Sequence, residues 1–435
     1  MTQPTTPVHT ERLPSGFTAV VLEMPGLHQV QLSLFVPVGS RFEAPGECGI
    51  SHFLEHALFR GNALHPDGDA LNRAFEGVGG MLNAHTGVES TEFDATLHPA
   101  HLDAALAALA AFVRAPTFPE VEKERRILLD ELSYDYNEQG ALVNVGTLSS
   151  QLMWPGHALG QSVGGVPETI AALDTAHLRA HHARHYHPAR MVLALAGAVQ
   201  AAPALEAVRR HFADWQPAAG EPPEPPRAAP APPPRTGGPY VKTVHDADNQ
   251  LHLQLSFPAP GYNDADEPAM SLLARALDDG PTSRLQRVIR EERALVYHIA
   301  AAHSGYWDTG AFDVATSVKP EQFDELLAHL LAVLADVRER GPTADEVERA
   351  RLRHLFDLEF DRDAPGARIG RYAWPLMHST VRDEDRERAQ VAALPREALA
   401  ALARRLLTRE RLHAVLVGPV DAALERRLHA ALARF

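Results

Sequence analysis

Between Gln216 and Pro239 the chain is dense in proline, with Ala, Gly and Glu between, and Pro232, Pro233 and Pro234 stand in a row. Such a stretch has fixed φ angles and few amide donors, so it cannot pack a core and reads as an extended, semi-rigid connector. It divides the 435 residues into two parts of similar length. The division suits the size, because a single core rarely grows past about 250–300 residues. We expect a first domain over 1–215, a Pro-rich linker over 216–239 and a second domain over 240–435.

The two parts begin alike. Val30 to Pro37 and Leu251 to Pro258 both read as apolar alternating strands, each followed by a Gly-containing loop and a helical segment. The first helix ends Ala57-Leu58-Phe59-Arg60-Gly61 and the second Ala276-Leu277-Asp278-Asp279-Gly280. A similarity at a spacing of about two hundred residues indicates two copies of one domain rather than a solenoid. Short strands alternate with longer amphipathic helices, such as Leu102 to Val113, Val121 to Tyr136 and Phe323 to Val337. The fold class is therefore α+β: two homologous domains, each a mostly antiparallel sheet covered by helices.

The formal charge of −15 argues against a nucleic-acid partner, which asks for a basic stripe. The one cysteine, Cys48, excludes an intrachain disulfide and a Cys-based zinc site. The residues Met1 to Pro7 have no basic start and no apolar run, and no apolar segment reaches about 18 residues, so neither a signal peptide nor a membrane span is expected. A cytoplasmic location follows as an expectation.

In the helical segment Gly49 to Phe59, His52 and His56 are four apart and project from one face, one turn from each other. That spacing lets two imidazoles bind one zinc ion. Glu55 shares the face and can take a proton from water that a metal activates, while Phe53, Leu54, Ala57 and Leu58 bury the remaining faces. A catalytic zinc needs a third protein ligand and an open fourth position. The segment Glu120 to Leu132 supplies Glu124 and Glu131, seven apart on one helix face, with Pro119 suited to the first turn. One carboxylate would bind the metal and the other would support it; helical geometry leaves open which is which. Overlaid on the first copy, the second places Ser271, Ala274 and Arg275 against His52, Glu55 and His56, so it lacks the cluster.

With His52-Phe53-Leu54-Glu55-His56 inside the blocks Val38 to Glu43, Gly49 to His56 and Leu58 to Gly61, the chain resembles the pitrilysin family of zinc metallopeptidases, whose signature is His-x-x-Glu-His. Asn83-Ala84-His85-Thr86, with Glu89 and Thr91, resembles the family's active-site edge strand, which implies substrate binding at Asn83 and Ala84. Glu124 to Glu131 resembles its Glu-x6-Glu helix; the resemblance implies Glu131 as third zinc ligand and Glu124 as the supporting carboxylate. Arg290 and Ala294-Leu295-Val296-Tyr297 resemble its Arg-x6-Tyr element, implying that Arg290 and Tyr297 assist catalysis by donating to a developing oxyanion. The length resembles the short-chain branch, whose members pair, with the Arg and Tyr of one chain completing the zinc site of the other. The expected molecule is an endopeptidase or oligopeptidase for short or unfolded peptides, with one Zn(2+) per chain, as a homodimer or a heterodimer with an inactive sister chain. The rival expectation is a non-catalytic scaffold or processing-complex subunit of the same fold. A narrower one is maturation of one particular peptide.

Two other clusters read as structural. His177, His181, His182, His185 and His187 lack a nearby acidic base and read as a partly exposed helix end before a strand. Gly77-Val78-Gly79-Gly80 reads as a turn.

Overall fold

The structure, a computed structural model, describes residues 7–44, 46–215, 229–377 and 383–435. Two compact units result. The first draws its described residues from Met1–Leu132, Ser162–Ala228 and Glu359–Asp383, the second from Ser133–Gln161, Ala229–Leu358 and Glu384–Phe435. These are not the linear bounds 1–215 and 240–435: each unit takes in a segment encoded in the other half of the sequence. Of the Pro-rich stretch, 216–228 lie outside the described residues, and 229–239 contain neither helix nor strand.

The strands in chain order are β1 (Val8–Arg12), β2 (Thr18–Glu23), β3 (Val30–Val36), β4 (Asn83–Thr86), β5 (Thr91–Leu97), β6 (Val192–Gly197), β7 (Tyr240–His245), β8 (Leu251–Ala259), β9 (Ile299–Gly305), β10 (Gly310–Val318) and β11 (His413–Gly418). The helices that matter here are α1 (Ile50–Leu58), α2 (Gly68–Glu76), α3 (Leu102–Arg114), α4 (Val121–Ser133), α5 (Val145–Met153), α6 (Pro167–Ala172), α7 (Thr175–His185), α8 (Ala201–Phe212), α9 (Glu267–Leu277), α10 (Phe323–Arg340), α11 (Ala344–Phe360) and α12 (Pro365–Tyr372).

The first sheet has the order β1-β2-β6-β3-β5-β4 and the second β7-β11-β8-β10-β9. In each, the last strand of the copy enters between two earlier ones, β6 between β2 and β3 and β11 between β7 and β8, parallel to one (β2 with β6, β7 with β11) and antiparallel to the other (β6 with β3, β11 with β8), and β1 extends the first sheet beyond β2. The remaining pairs are antiparallel. Two sheets with one topology support the duplication read from the repeated strand-loop-helix openings. β3 and β8 occupy the same sheet position, and α1 and α9 follow them.

Strand alternation sets the layers. In the first sheet Leu32, Leu34, Phe93, Leu193 and Leu195 face a core shared with α1, α3, α7 and α8. The alternate residues Val20, Leu22, Phe35, Val192 and Ala194 are also apolar, and Ile369 and Ala373 from α12 and its end cover them. In the second sheet Leu253, Leu255, Phe257, Phe312 and Leu416 face the core with α9 and α10, while Val415 and Val417 lie under Leu148 of α5. The departure from linear bounds has this cause: each sheet has a second apolar face that must be covered. Periodicity marks α5 and α12 as amphipathic but carries no record of which sheet each will cover.

Candidate metal centre

Helix α1 presents two faces. Ile50, Phe53, Leu54, Ala57 and Leu58 are fully buried in the first core. His52, Glu55 and His56 therefore fall on the opposite side, as the 3.6-residue period requires. The helix starts at Gly49, which has φ +91. A Cβ there would lie 2.6 Å from Gly165 Cα, so glycine is required twice over. The start is capped from outside the helix: the Glu43 carboxylate accepts from the main-chain N–H of Gly49 at 2.8 Å and of Ser51 at 3.0 Å.

His52 and His56 lie with ring centroids 4.7 Å apart. Across from them α4 brings its acidic residues. Its buried stripe is Val121, Glu124, Leu128 and Leu132, so Glu124 lies inside the protein and Glu131 at the exposed edge of the same face. His56 has a carboxylate on each side. Its Nδ1 is 3.2 Å from Glu124 Oε2, and its Nε2 is 3.9 Å from Glu131 Oε2. His52, His56 and Glu131 can each offer one ligand atom, and the three atoms lie within 4.8 Å of one another. Among the described residues no other group of three His, Cys, Asp or Glu side chains converges in this way. The choice that spacing left open is thus made by packing: Glu131 joins the two imidazoles, and Glu124 bonds to the far nitrogen of one of them.

Electrostatics follow from this placement. Burial, with the nearby His56 and His85, pulls His52 down to about 4, so its ring is neutral at neutral pH. Burial opposes the charge of Glu124, but its bond to His56 and the Arg60 guanidinium outweigh that, and its carboxyl is held below the usual range. Burial alone would lower His56; the Glu124 bond and the charges of Glu55, Glu124 and Glu131 reverse the sign and raise it. Glu55 is only 8% exposed, and burial is the main reason its carboxyl is raised. The hydroxyl of Thr86, at the end of β4, donates to Glu55 Oε2.

The edge strand sits where the sequence placed it. β4 pairs only with β5, Ala84 opposite Phe93, and forms the margin of its sheet. Asn83 is exposed and Ala84 half-buried beside the free edge. Arg290 and Tyr297 belong to the second unit. Arg290 lies in a π-helical turn, Gln286–Glu291, and Tyr297 in the loop before β9. Both line one cavity, and Tyr297 is 92% exposed, so it does not pack into the sheet.

Two readings need correction. Pro119 is not in the first turn of α4: Glu120 has φ +56, which a helix cannot contain, so the helix begins at Val121. The histidine stretch does end a helix before a strand, with His177 exposed, but most of it is more buried than the sequence suggested. His181 and His185 are 2% exposed and His187 4%, because α7 packs on α1, where Ser51 Oγ meets His181 Nε2 at 3.2 Å. His182 donates to the Val113 carbonyl at 2.8 Å, and burial pulls both His182 and His185 down to about 4.

Three side chains important to the arrangement carried no role in the sequence reading. Thr86 and Glu43 lie in the motif blocks, but nothing in their spacing says that one reaches Glu55 and the other caps α1. Arg60 is four residues after His56, a spacing that could have suggested its place beside Glu124.

The description "Insulinase (Peptidase family M16)" matches residues 19–164, and "Peptidase M16 inactive domain" matches residues 172–353. Relatives named as uncharacterized zinc proteases include one from Mycobacterium leprae, 31% identical over 94% of this chain and 91% of its own length. Another, from Streptomyces coelicolor, is 30% identical over 98% and 93%. Among solved structures, a protease from Helicobacter pylori superposes with a TM-score of 0.88 at 18% identity, covering 95% of this chain and all of the other. A peptidase M16 inactive domain from Pseudomonas fluorescens gives 0.83 at 21%, covering 96% and 98%; both show the fold. With the family matched along both halves and relatives at 30–31% identity over nearly the whole length, the chain belongs to peptidase family M16, the pitrilysin family of zinc proteases.

Proposed function

We propose that this chain is a zinc-dependent endopeptidase or oligopeptidase acting on short or unfolded peptides. The observation that carries the reading is the convergence of His52, His56 and Glu131 with Glu55 on the same helix face. The donor set fits zinc: two imidazoles, one of them held neutral by burial, and one carboxylate, with nothing softer or harder required. When bound, zinc supplies the Lewis acidity that activates water and the peptide carbonyl.

The rest is the work of the chain. Glu124, neutralised by Arg60, holds the His56 ring through Nδ1 and leaves Nε2 for the metal. Thr86 fixes one oxygen of Glu55, leaving the other to take a proton from the attacking water and deliver it to the leaving amine. Burial raises that carboxyl above its ordinary value, which favours its holding the proton between the two transfers. A substrate segment adds as a strand to the free edge of β4 at Asn83 and Ala84, so main-chain hydrogen bonds select extended peptides over folded ones. Arg290 and Tyr297 donate to the oxyanion, and in a homodimer they come from the partner chain. Both side chains are exposed, Arg290 beside Glu291 at 3.7 Å.

The test is metal analysis of the purified protein with a quenched-peptide assay, with and without chelator. We expect one zinc per chain, chelator-sensitive hydrolysis, and a loss of about 10²–10⁴-fold in turnover for Glu55→Gln with the metal retained. Full turnover in that variant would refute the role of Glu55. The "inactive domain" description falls on residues 172–353, which lack the cluster. A metal-loaded wild-type chain that cleaves no peptide would instead favour a non-catalytic scaffold.

A further inference from the structure

Asp248, His252 and Ser317 form a hydrogen-bonded row in the second unit. His252 Nε2 lies 2.8 Å from Asp248 Oδ2, and His252 Nδ1 lies 2.8 Å from Ser317 Oγ. The sheet brings the three together. His252 and Ser317 are direct partners across the antiparallel β8–β10 pair, so their side chains stand side by side on one face. That face is turned away from the core, which takes Leu251, Leu253 and Val318. Asp248 lies in the turn between β7 and β8. Its Oδ1 accepts from the main-chain N–H of Asn249 at 2.5 Å and of Gln250 at 3.3 Å, which aims Oδ2 at the ring.

This wiring sets the proton positions. The bond from His252, helped by the two main-chain donors, holds the Asp248 carboxyl below the usual range against the effect of burial. An ionised acceptor draws the proton of a neutral imidazole to Nε2. Nδ1 is then the acceptor for the Ser317 hydroxyl. The row opens into a cavity of about 830 Å³ that His252 and Ser317 line and Asp248 does not. Ser317 is half-buried, because β9 begins at Ile299, opposite Thr316, and stops short of it. Val145, Leu295 and Val296 give the cavity an apolar wall, and Lys319 adds a cation two residues beyond Ser317.

We propose that Ser317 as nucleophile, His252 as base and Asp248 as the group orienting it hydrolyse carboxylic esters with an apolar acyl group. Ser317 Oγ bonds to the ester carbonyl carbon as its proton passes to His252 Nδ1. The tetrahedral oxyanion then collapses, the C–O bond to the alcohol breaks, and His252 gives its proton to the departing oxygen. Water attacks the acyl-serine, losing a proton to His252, which returns it to Ser317 Oγ as the carboxylic acid leaves. Asp248 stays ionised and balances the imidazolium formed in each half. A single cation is modest support for an oxyanion, so the site suits esters, whose alkoxide leaves more readily than an amine. The proposal does not depend on the peptidase reading.

The experiment uses the full, metal-loaded chain with p-nitrophenyl butyrate, and in parallel with a fluorophosphonate probe whose attachment point is located by peptide mass spectrometry. We expect nitrophenol release, the label on Ser317, and a loss of about 10²–10⁴-fold in ester turnover for Ser317→Ala and for His252→Ala. Asp248→Asn should lower kcat and leave KM, since Asp248 acts through the ring. Ester turnover should persist in Glu55→Gln, which tells it apart from chemistry at the zinc site, and peptide hydrolysis should persist in Ser317→Ala. Label found only on other residues, ester turnover equal in Ser317→Ala and wild type, or ester turnover lost with Glu55→Gln would each overturn the proposal. The label on the wild-type chain decides the matter even where a variant does not fold.

Discussion

The imidazole of His56 has a carboxylate against each nitrogen, and only one of the two is exposed enough to meet a metal from solution. The buried one, Glu124, has its charge balanced by Arg60. It therefore fixes the tautomer and direction of the ring without competing for the site. Replacing Glu124 with Gln keeps the shape and removes the charge. Zinc affinity should fall about 10–100-fold, as measured by competition with a chromophoric chelator. Unchanged affinity would show that Glu124 does not orient the ligand. Here the sequence and the packing divide the work. Helical spacing placed both glutamates on one face, but their roles depend on which end of that face the core covers.

Among the elements, α1 depends most on a group outside itself. Glu43 caps its first turn while buried, and burial raises its carboxyl from 4.5 to about 7 despite the two main-chain bonds. Because the folded pKa lies above the unfolded one, the folded chain binds more protons between these values. The associated stability is complete below 4.5 and lost as pH rises through about 7. The shift corresponds to about 3 kcal/mol. We predict that Glu43→Gln removes about this much from the stability difference of the metal-free protein between about pH 4 and about pH 8, read by urea unfolding. A pH slope equal to that of the wild type would contradict the assignment. The elements themselves were largely legible: β3, α1, α3 and α10 form close to where alternation and periodicity put them. Capping from a distant loop was not, because no local pattern encodes a contact that the loop makes only after folding.

At the scale of the molecule, one topology occurs twice and one copy has kept the charged cluster. The cleft beside α9 in the other contains Ser271 and Arg275, with Arg275 paired to Asp279 at 2.9 Å and Asp357 at 2.7 Å. If the active particle is a homodimer that shares its sites, two inactive variants should restore each other. Mixed after dissociation and reassociation, Glu55→Gln and Arg290→Ala should recover roughly a quarter of wild-type activity, since half the dimers are mixed and each has one intact site. Light scattering should report two chains per particle. A monomer, or a mixture as inactive as its components, would count against sharing.

Spacing along the chain determined the duplication, the helix carrying His52, Glu55 and His56, and the acidic helix that faces it. These depend on periods of 3.6 and 2 residues, which are local and survive in one dimension. Spacing left Glu131 and Glu124 undivided, and the packing agrees with the family resemblance in bringing Glu131 to the imidazoles; only the tertiary structure decided that Thr86 holds Glu55 and that α5 and α12 each cover a sheet built mainly by the other half. Those outcomes are set by which surfaces exclude water together, and residues far apart in sequence acquire that relation only when the chain packs.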